Sequence, residues 1–326
     1  MAGLPHFVGA ALAAKLENVS RTDLRARARR ISEAYRGGGG SGVIRSDLDA
    51  LAYGIVRMPA TYAAVRAALA QANGVIPDFT PRSLIDVGAG PGTATWAACD
   101  AWPPLERAAL IDDNAHLLAL AETLRPPHLA LTAQRDAIAT ALAEATSADV
   151  VMASYVFAEL PDAALQATLG RLWDKAARLL VIVEPGTPDG FRRILACRER
   201  LIADGAAIVA PCSHEGRCPL AAAERWCHFN ARLPRTRDHL TAKGADVPFE
   251  DEKFVYLVAG KGFGDLALEQ RVLATRMVDK AAVTLTLCAP DAPEQRRVPR
   301  RDKDAYRAAK RVDWGDALVE NGPRTS

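Results

Sequence analysis

No run of apolar residues in this 326-residue chain approaches the ~20 needed to cross a bilayer, which excludes a helical membrane span. The apolar patch from Phe7 to Ala14 has no basic residue ahead of it. A secretory leader is therefore not expected, and the reading is a cytoplasmic protein of bacterial type with no membrane partner. Cysteine is scarce, at six residues, and without a leader these do not read as a disulfide framework. No C-x-x-C pair occurs among them, so the spacing of a standard zinc ribbon or finger is missing as well. Internal repeats are absent, and the one low-complexity piece is the glycine run from Gly37 to Gly42.

What remains is an ordinary globular composition, 49% hydrophobic and 25% charged, able to bury a core unaided. Net charge is only +2, yet the segment from Arg296 to Arg311 sets eight Lys or Arg against Asp302 and Asp304. A local field of that sign favours a polyanion such as RNA, and a solvated helix face is the competing reading. Apolar spacing predicts a helix from Val8 to Tyr35 and a flexible glycine linker after it. A second helical region from Ser46 to Ala72 follows, with Ser46 as cap and Pro59 opening a new helix. From Ser83 short apolar runs alternate with helical stretches. Candidate strands are Ser83 to Val87, Ala108 to Ile111, Leu129 to Thr132, Asp149 to Ser154 and Leu179 to Val183, and they imply a doubly wound α/β sheet. Phe254 to Ala259 is expected to return to that sheet, with Val272 to Val278 and Val283 to Cys288 as further strands.

The first strand runs into Asp86-Val87-Gly88-Ala89-Gly90-Pro91-Gly92-Thr93. Three glycines let the backbone turn sharply and approach a ligand closely. The third glycine stands one residue too early for a nicotinamide fingerprint. The D-x-G-x-G-x-G spacing resembles class I S-adenosylmethionine methyltransferases, in which such a loop passes the methionine part of the cofactor. There the acid at the Asp86 position helps hold the amino group. Asp112, with Asp113 as its substitute, stands at the end of the second strand, where a carboxylate can accept both ribose hydroxyls. Asp136 is a weaker candidate for the adenine edge, and Tyr155 for a stacking platform. No catalytic group is evident. The place after the fourth strand reads Ala153-Ser154-Tyr155-Val156-Phe157 and lacks the Pro-Pro-aromatic element of amino-methylating enzymes. Pro211-Cys212 has the dipeptide of a cytosine-C5 nucleophile but follows the fifth strand.

Cys212, Cys218 and Cys227 fall within sixteen residues around Gly216 and Pro219, and Cys288 lies far downstream. Thiolates are strong ligands for zinc or iron, and the residues themselves do not choose between a zinc ion and an iron–sulfur cluster. Between them, Arg232, Arg235, Arg237 and Lys243 stand with Trp226 and Phe229 in a pattern suited to phosphate contact and base stacking. Pairing with Glu224, Asp238 or the acids from Glu250 to Glu252 is the alternative.

The stretch Ala210 through Leu220, then Trp226-Cys227-His228-Phe229, Leu233-Pro234-Arg235 and Phe249 through Phe254, resembles the Rsm-type family of small-ribosomal-subunit-associated methyltransferase-like proteins. That family includes assembly factors of the mitochondrial small subunit and their bacterial relatives. Val183-Glu184-Pro185-Gly186 with Gly190-Phe191, Arg57-Met58-Pro59 and Trp314-Gly315-Asp316 extend the likeness over nearly the whole chain. The resemblance implies a class I S-adenosylmethionine methyltransferase (Rossmann-like) fold and a [4Fe-4S] cluster on Cys212, Cys218, Cys227 and Cys288. It also implies a role on small-subunit rRNA in assembly or translation. It leaves methyl transfer open. A working rRNA methyltransferase and a zinc-stabilised RNA-binding scaffold are the alternatives, and the free protein is expected to be monomeric. The organisation expected is a helical layer over 1–80, a methyltransferase-like core over 81–205 and a Cys-rich metal-binding insertion over 206–250. Residues 251–326 would supply the last core strands, a small β segment and a basic tail.

Overall fold

A computed structural model of the chain describes residues 3–37, 39–221, 225–264, 266 and 268–319. The first expected helix is two, α1 (His6–Leu16) and α2 (Arg21–Arg36). The break has a local cause: Ser20 caps α2, its side chain accepting from Asp23 N. Ser46 caps α3 (Asp47–Val56) in the same way, and α4 (Met58–Val75) starts with Pro59 in its first turn. Asp49, 2% exposed, accepts from Arg27 at 2.8 Å and also pairs with Arg30, which locks α2 onto α3. A buried carboxylate is tolerated here because two guanidiniums answer it.

The α/β part then runs β1 (Ser83–Val87), α5 (Thr93–Ala101), β2 (Arg107–Asp112), α6 (Ala115–Thr123), β3 (Ala130–Arg135), α7 (Ile138–Glu144) and β4 (Ala148–Ser154). It continues with α8 (Leu165–Lys175), β5 (Ala176–Pro185), α9 (Pro188–Ala203), β6 (Ala207–Ala210), β7 (Phe229–Pro234), α10 (Arg237–Lys243) and β8 (Phe249–Gly260). The sheet order is β3-β2-β1-β4-β5-β8-β6, with β7 also beside β8. Strands β1 to β5 are parallel, and β8 is antiparallel to β5, β6 and β7. Both faces are covered, which explains the unbroken apolar runs. Leu179, Val181 and Val183 face the core under α3 to α6, while Leu180 and Ile182 face the core under α7 to α9. Because chain order reverses between β1 and β4, a crevice opens beyond their carboxyl ends.

The last segment comprises β9 (Gln270–Arg271), β10 (Met277–Val278), β11 (Ala282–Leu287), β12 (Glu294–Pro299), α11 (Lys303–Arg311) and β13 (Ala317–Leu318). The expected strand Val272 to Val278 is not continuous: Val272 makes only an isolated bridge to Leu287, and β10 is two residues long. The basic run divides between β12 and α11. Val272, Val283, Leu285, Leu287, Val298 and Ala309 form a small core of their own. Among the described residues no helix is long and apolar enough to cross a membrane.

Candidate cofactor cleft and cysteine cavity

The crevice at the switch point is a cavity of about 1350 Å³, walled by Gly88, Gly90, Asp112, Asp113, Asp136 and Tyr155 among others. Asp112 is held rigidly, Oδ2 accepting from Gly90 N and Oδ1 from Asn114 N, both at 2.8 Å. Burial raises its carboxyl above the ordinary range. Asn114 in turn caps α6 and donates to Ser41 O (3.2 Å) and Ile44 O (2.9 Å), while Ser41 N donates to Glu159. The end of the expected flexible linker is thereby fixed, and Ser41–Val43 forms one 3-10 turn beside the cleft.

Two predicted residues stay off the cavity wall. Gly92 takes φ +76° ahead of α5, and a Cβ there would stand 2.5 Å from the Trp96 ring, so this glycine serves packing. Asp86 is 1% exposed and turns away to accept from Thr95 N (3.1 Å) and Thr95 Oγ1 (2.7 Å), tying the loop to α5. Burial pushes its carboxyl up to about 7, with Asp112 adding to the rise and the Thr95 bonds opposing it. Asp86 is thus engaged with the scaffold, and an ammonium group brought beside it would draw the carboxyl back toward its ionised form. The linkage has a definite sign. The folded carboxyl keeps its proton to about pH 7, whereas the unfolded one releases it near 3.8, so this stabilisation is complete in acid and is lost as pH rises through that interval. The melting temperature should therefore fall more steeply between about pH 4 and 7 in the wild type than in Asp86→Asn, as scanning calorimetry would register.

Several cleft residues were not singled out from sequence. Tyr35, Tyr53 and Arg57 enter from the helical layer and Glu250 from β8. Arg57 lies 5.7 Å from the Tyr35 ring centroid. Tyr155 adopts φ +64°, which is uncommon for a residue with a side chain, and its hydroxyl donates to Glu252 Oε1 at 2.9 Å. Burial raises the Glu252 carboxyl against the opposing pull of Arg57 and of that hydrogen bond. The motif Arg57-Met58-Pro59 held a signal for Arg57, but only its proline was interpretable without the fold.

Cys212, Cys218, Cys227 and Cys288 line a second cavity, of about 40 Å³, together with Arg198, Arg271 and apolar residues of α9 and β8. Its size is several times the roughly 10–15 Å³ that one water needs. Arg198 Nε donates to Cys212 Sγ at 3.3 Å, and its Nη2 fixes the loop carbonyls of His214 (2.6 Å) and Gly216 (2.9 Å). Cys288 is clamped from both sides, its N donating to Arg271 O at 2.8 Å and its O accepting from Ser213 Oγ at 3.2 Å. Burial raises the Cys212, Cys227 and Cys288 thiols, Cys288 to about 11, and the neighbouring sulfurs add to the rise at Cys227. Among the described residues no group of three or more His, Cys, Asp or Glu is placed to share a single metal ion. The arginine-rich strand after this loop is corrected toward its alternative. Arg232 forms a double hydrogen bond with Asp251 at 2.7 Å, and both Arg235 and Lys243 pair with Glu250.

A doubly wound sheet with a glycine loop and a strand-end carboxylate at its switch point is a class I methyltransferase-like α/β fold. The chain belongs to the family described as mitochondrial small ribosomal subunit Rsm22, which matches residues 47–319. It is 28% identical over 297 residues to the human mitochondrial ribosome assembly protein METTL17, covering 82% of this chain and 62% of that protein. It is 26% identical to the mitochondrial Rsm22-cox11 tandem protein 2 of Schizosaccharomyces pombe, covering 85% of this chain and 44% of that protein. The chain thus spans less than two thirds of the length of these relatives. Among solved structures it is similar to magnesium protoporphyrin IX methyltransferase of Synechocystis with bound SAM (13% identity, TM-score 0.40, 75% of this chain and 100% of that one). It is also similar to the plantazolicin methyltransferase BpumL with SAH (15% identity, TM-score 0.39, 77% and 99%). Likenesses of that size add nothing to what the sheet order already shows. The expected cytoplasmic location is overturned: the family and both relatives are described as mitochondrial, which points to a mitochondrial setting instead.

Proposed function

We propose that this chain is an assembly factor of the small ribosomal subunit that holds S-adenosylmethionine in the switch-point cleft, binds small-subunit rRNA, and carries a [4Fe-4S] cluster on Cys212, Cys218, Cys227 and Cys288. The observation that carries the cluster is electrostatic. Arg198 and Arg271 are each 3% exposed, flank the four thiols, and make no ion pair with a carboxylate among the described residues. Buried guanidiniums demand a compensating anion. A dicationic centre held by four thiolates carries a net charge of two minus and would supply it. A zinc ion would satisfy the same balance, and metal analysis separates the two. A polynuclear cluster takes one thiolate per iron around a larger body and suits four sulfurs that ring a cavity. When bound it would staple the loop after β6 to the end of β11 and contribute folding free energy there.

Anaerobic purification tests the centre. A brown protein absorbing at about 400 nm with four irons per chain is the expected outcome, and a colourless protein with stoichiometric zinc would discard it. For the rRNA role, Arg300, Arg301 and Lys303 are exposed and close in space to one another along the turn from β12 into α11. Neutralising all three should weaken binding to a small-subunit rRNA fragment and reduce the slope of log affinity against log salt by roughly 2–3. An unchanged slope would return these residues to a solvated face. Tritiated donor incubated with immature small subunits then separates the assembly role from methylation: label in rRNA marks a working enzyme, and no label despite tight donor binding leaves assembly.

A further inference from the structure

The cleft is larger than the roughly 300–1000 Å³ typical for one small ligand, and its lining mixes two chemistries. Acids at the strand ends, Asp112, Asp113 and Asp136, stand beside the glycine loop. The helical layer adds aromatic and cationic groups to the same lining, within reach of the charges of Asp112 and Glu159. There Tyr35 and Tyr53 stand 5.9 Å apart by ring centroid, with the Arg57 guanidinium near the Tyr35 ring. Arg57 is half-buried and makes no side-chain hydrogen bond or salt bridge among the described residues, with Glu252 as the acid whose charge acts on it through space. Ser154 Oγ on the same wall is buried with no partner. Arg36 and Arg171 also line the cleft, are exposed, and have no carboxylate partner among the described residues. An orphaned hydroxyl, a guanidinium free of direct hydrogen bonds and flat rings within one cavity describe the complement of a planar polar heterocycle, and exposed arginines describe that of its phosphate.

We infer that the part of the cleft walled by the helical layer is a second subsite that takes one unpaired nucleotide of RNA. The base lies against the Tyr35 and Tyr155 rings with Ser154 Oγ and Arg57 at its polar edge, and the phosphate meets Arg36 and Arg171. Tyr155 is a positioning residue: its left-handed backbone turns the ring into the cleft, and its hydrogen bond to Glu252 holds the ring there. The inference rests on the rRNA-binding reading above and narrows it to a single base at a named place.

The test uses the full chain and three probes measured separately by calorimetry: S-adenosylmethionine, the four ribonucleoside 5′-monophosphates, and a small-subunit rRNA fragment. With donor present, at least one monophosphate should bind the wild type. Arg57→Gln should lower that affinity at least tenfold, and the double variant R36Q/R171Q at least fivefold, while donor affinity stays within threefold. Because Arg36 and Arg171 are exposed, the double variant keeps the test alive even where Arg57→Gln folds badly. A wild type that binds donor and rRNA but no monophosphate overturns this inference alone. One that binds none of the three overturns the underlying reading with it. A tenfold loss of donor affinity in Arg57→Gln would assign Arg57 to the donor and overturn the inference as well.

Discussion

Gly90→Arg should abolish S-adenosylmethionine binding, raising the dissociation constant at least a hundredfold while leaving the fold in place. Gly90 sits at φ +54°, and the nearest atom to a Cβ built on it is Leu117 Cδ1 at 3.9 Å, an ordinary contact. A Cβ there therefore meets no protein wall, and because Gly90 lines the cleft the longer side chain fills the donor's space. Its left-handed backbone costs about 1–2 kcal/mol, which a domain of this size survives. Gly90 N still donates to Asp112, so the loop keeps its anchor. Calorimetric titration gives the affinity, and circular dichroism with a thermal melt confirms folding. Retained binding in a folded variant would remove the donor from this cleft.

Arg271→Met is the second large effect, and it falls on stability. Arg271 Nε donates to Pro211 O at 2.9 Å and its Nη1 to Gly315 O at 3.0 Å, with Gln71 Oε1 as a further acceptor. One buried side chain thus joins the cysteine loop, α4 and the C-terminal segment. Methionine roughly fills the volume but leaves one buried and one half-buried carbonyl unpaired, at about 3–5 kcal/mol in all. That corresponds to a drop of roughly 6–12 °C in melting temperature. Arg217→Met, on an exposed turn of the same loop, should stay within about 0.5 kcal/mol. Equal melts for the two variants would show that Arg271 is not the tie that its contacts imply. A lowered iron content in Arg271→Met alone would add that the guanidinium is needed to retain the cluster.

Much of the fold was legible because the parallel strands announce themselves. Residues 179–183 and 150–153 are unbroken apolar runs that only a strand covered on both faces accounts for. The helix from Val8 to Tyr35 was over-extended because periodicity resumes in phase across the break, and the Ser20 cap was the overlooked stop. Six of the eight proposed cofactor residues line one cavity, since glycine spacing and a strand-end acid are local signals. The Asp86 bond to Thr95 was not legible because Thr95 lies on the next helix, and side-chain direction at a strand end cannot be read from spacing. Arg57, Tyr35 and Glu252 were out of reach for the same reason at longer range. They come from elements separated by some two hundred residues and meet only through the packing of the helical layer against β8.

Strand β8 serves both cavities: Glu250 stands at the cleft, and Val255, Tyr256 and Leu257 stand at the cysteines. A slip of one residue along it would invert every side chain between its faces. Both chambers would be dismantled at one stroke. Insertions and deletions accumulated by relatives should therefore avoid Phe249–Gly260 altogether, whatever becomes of the loops around it.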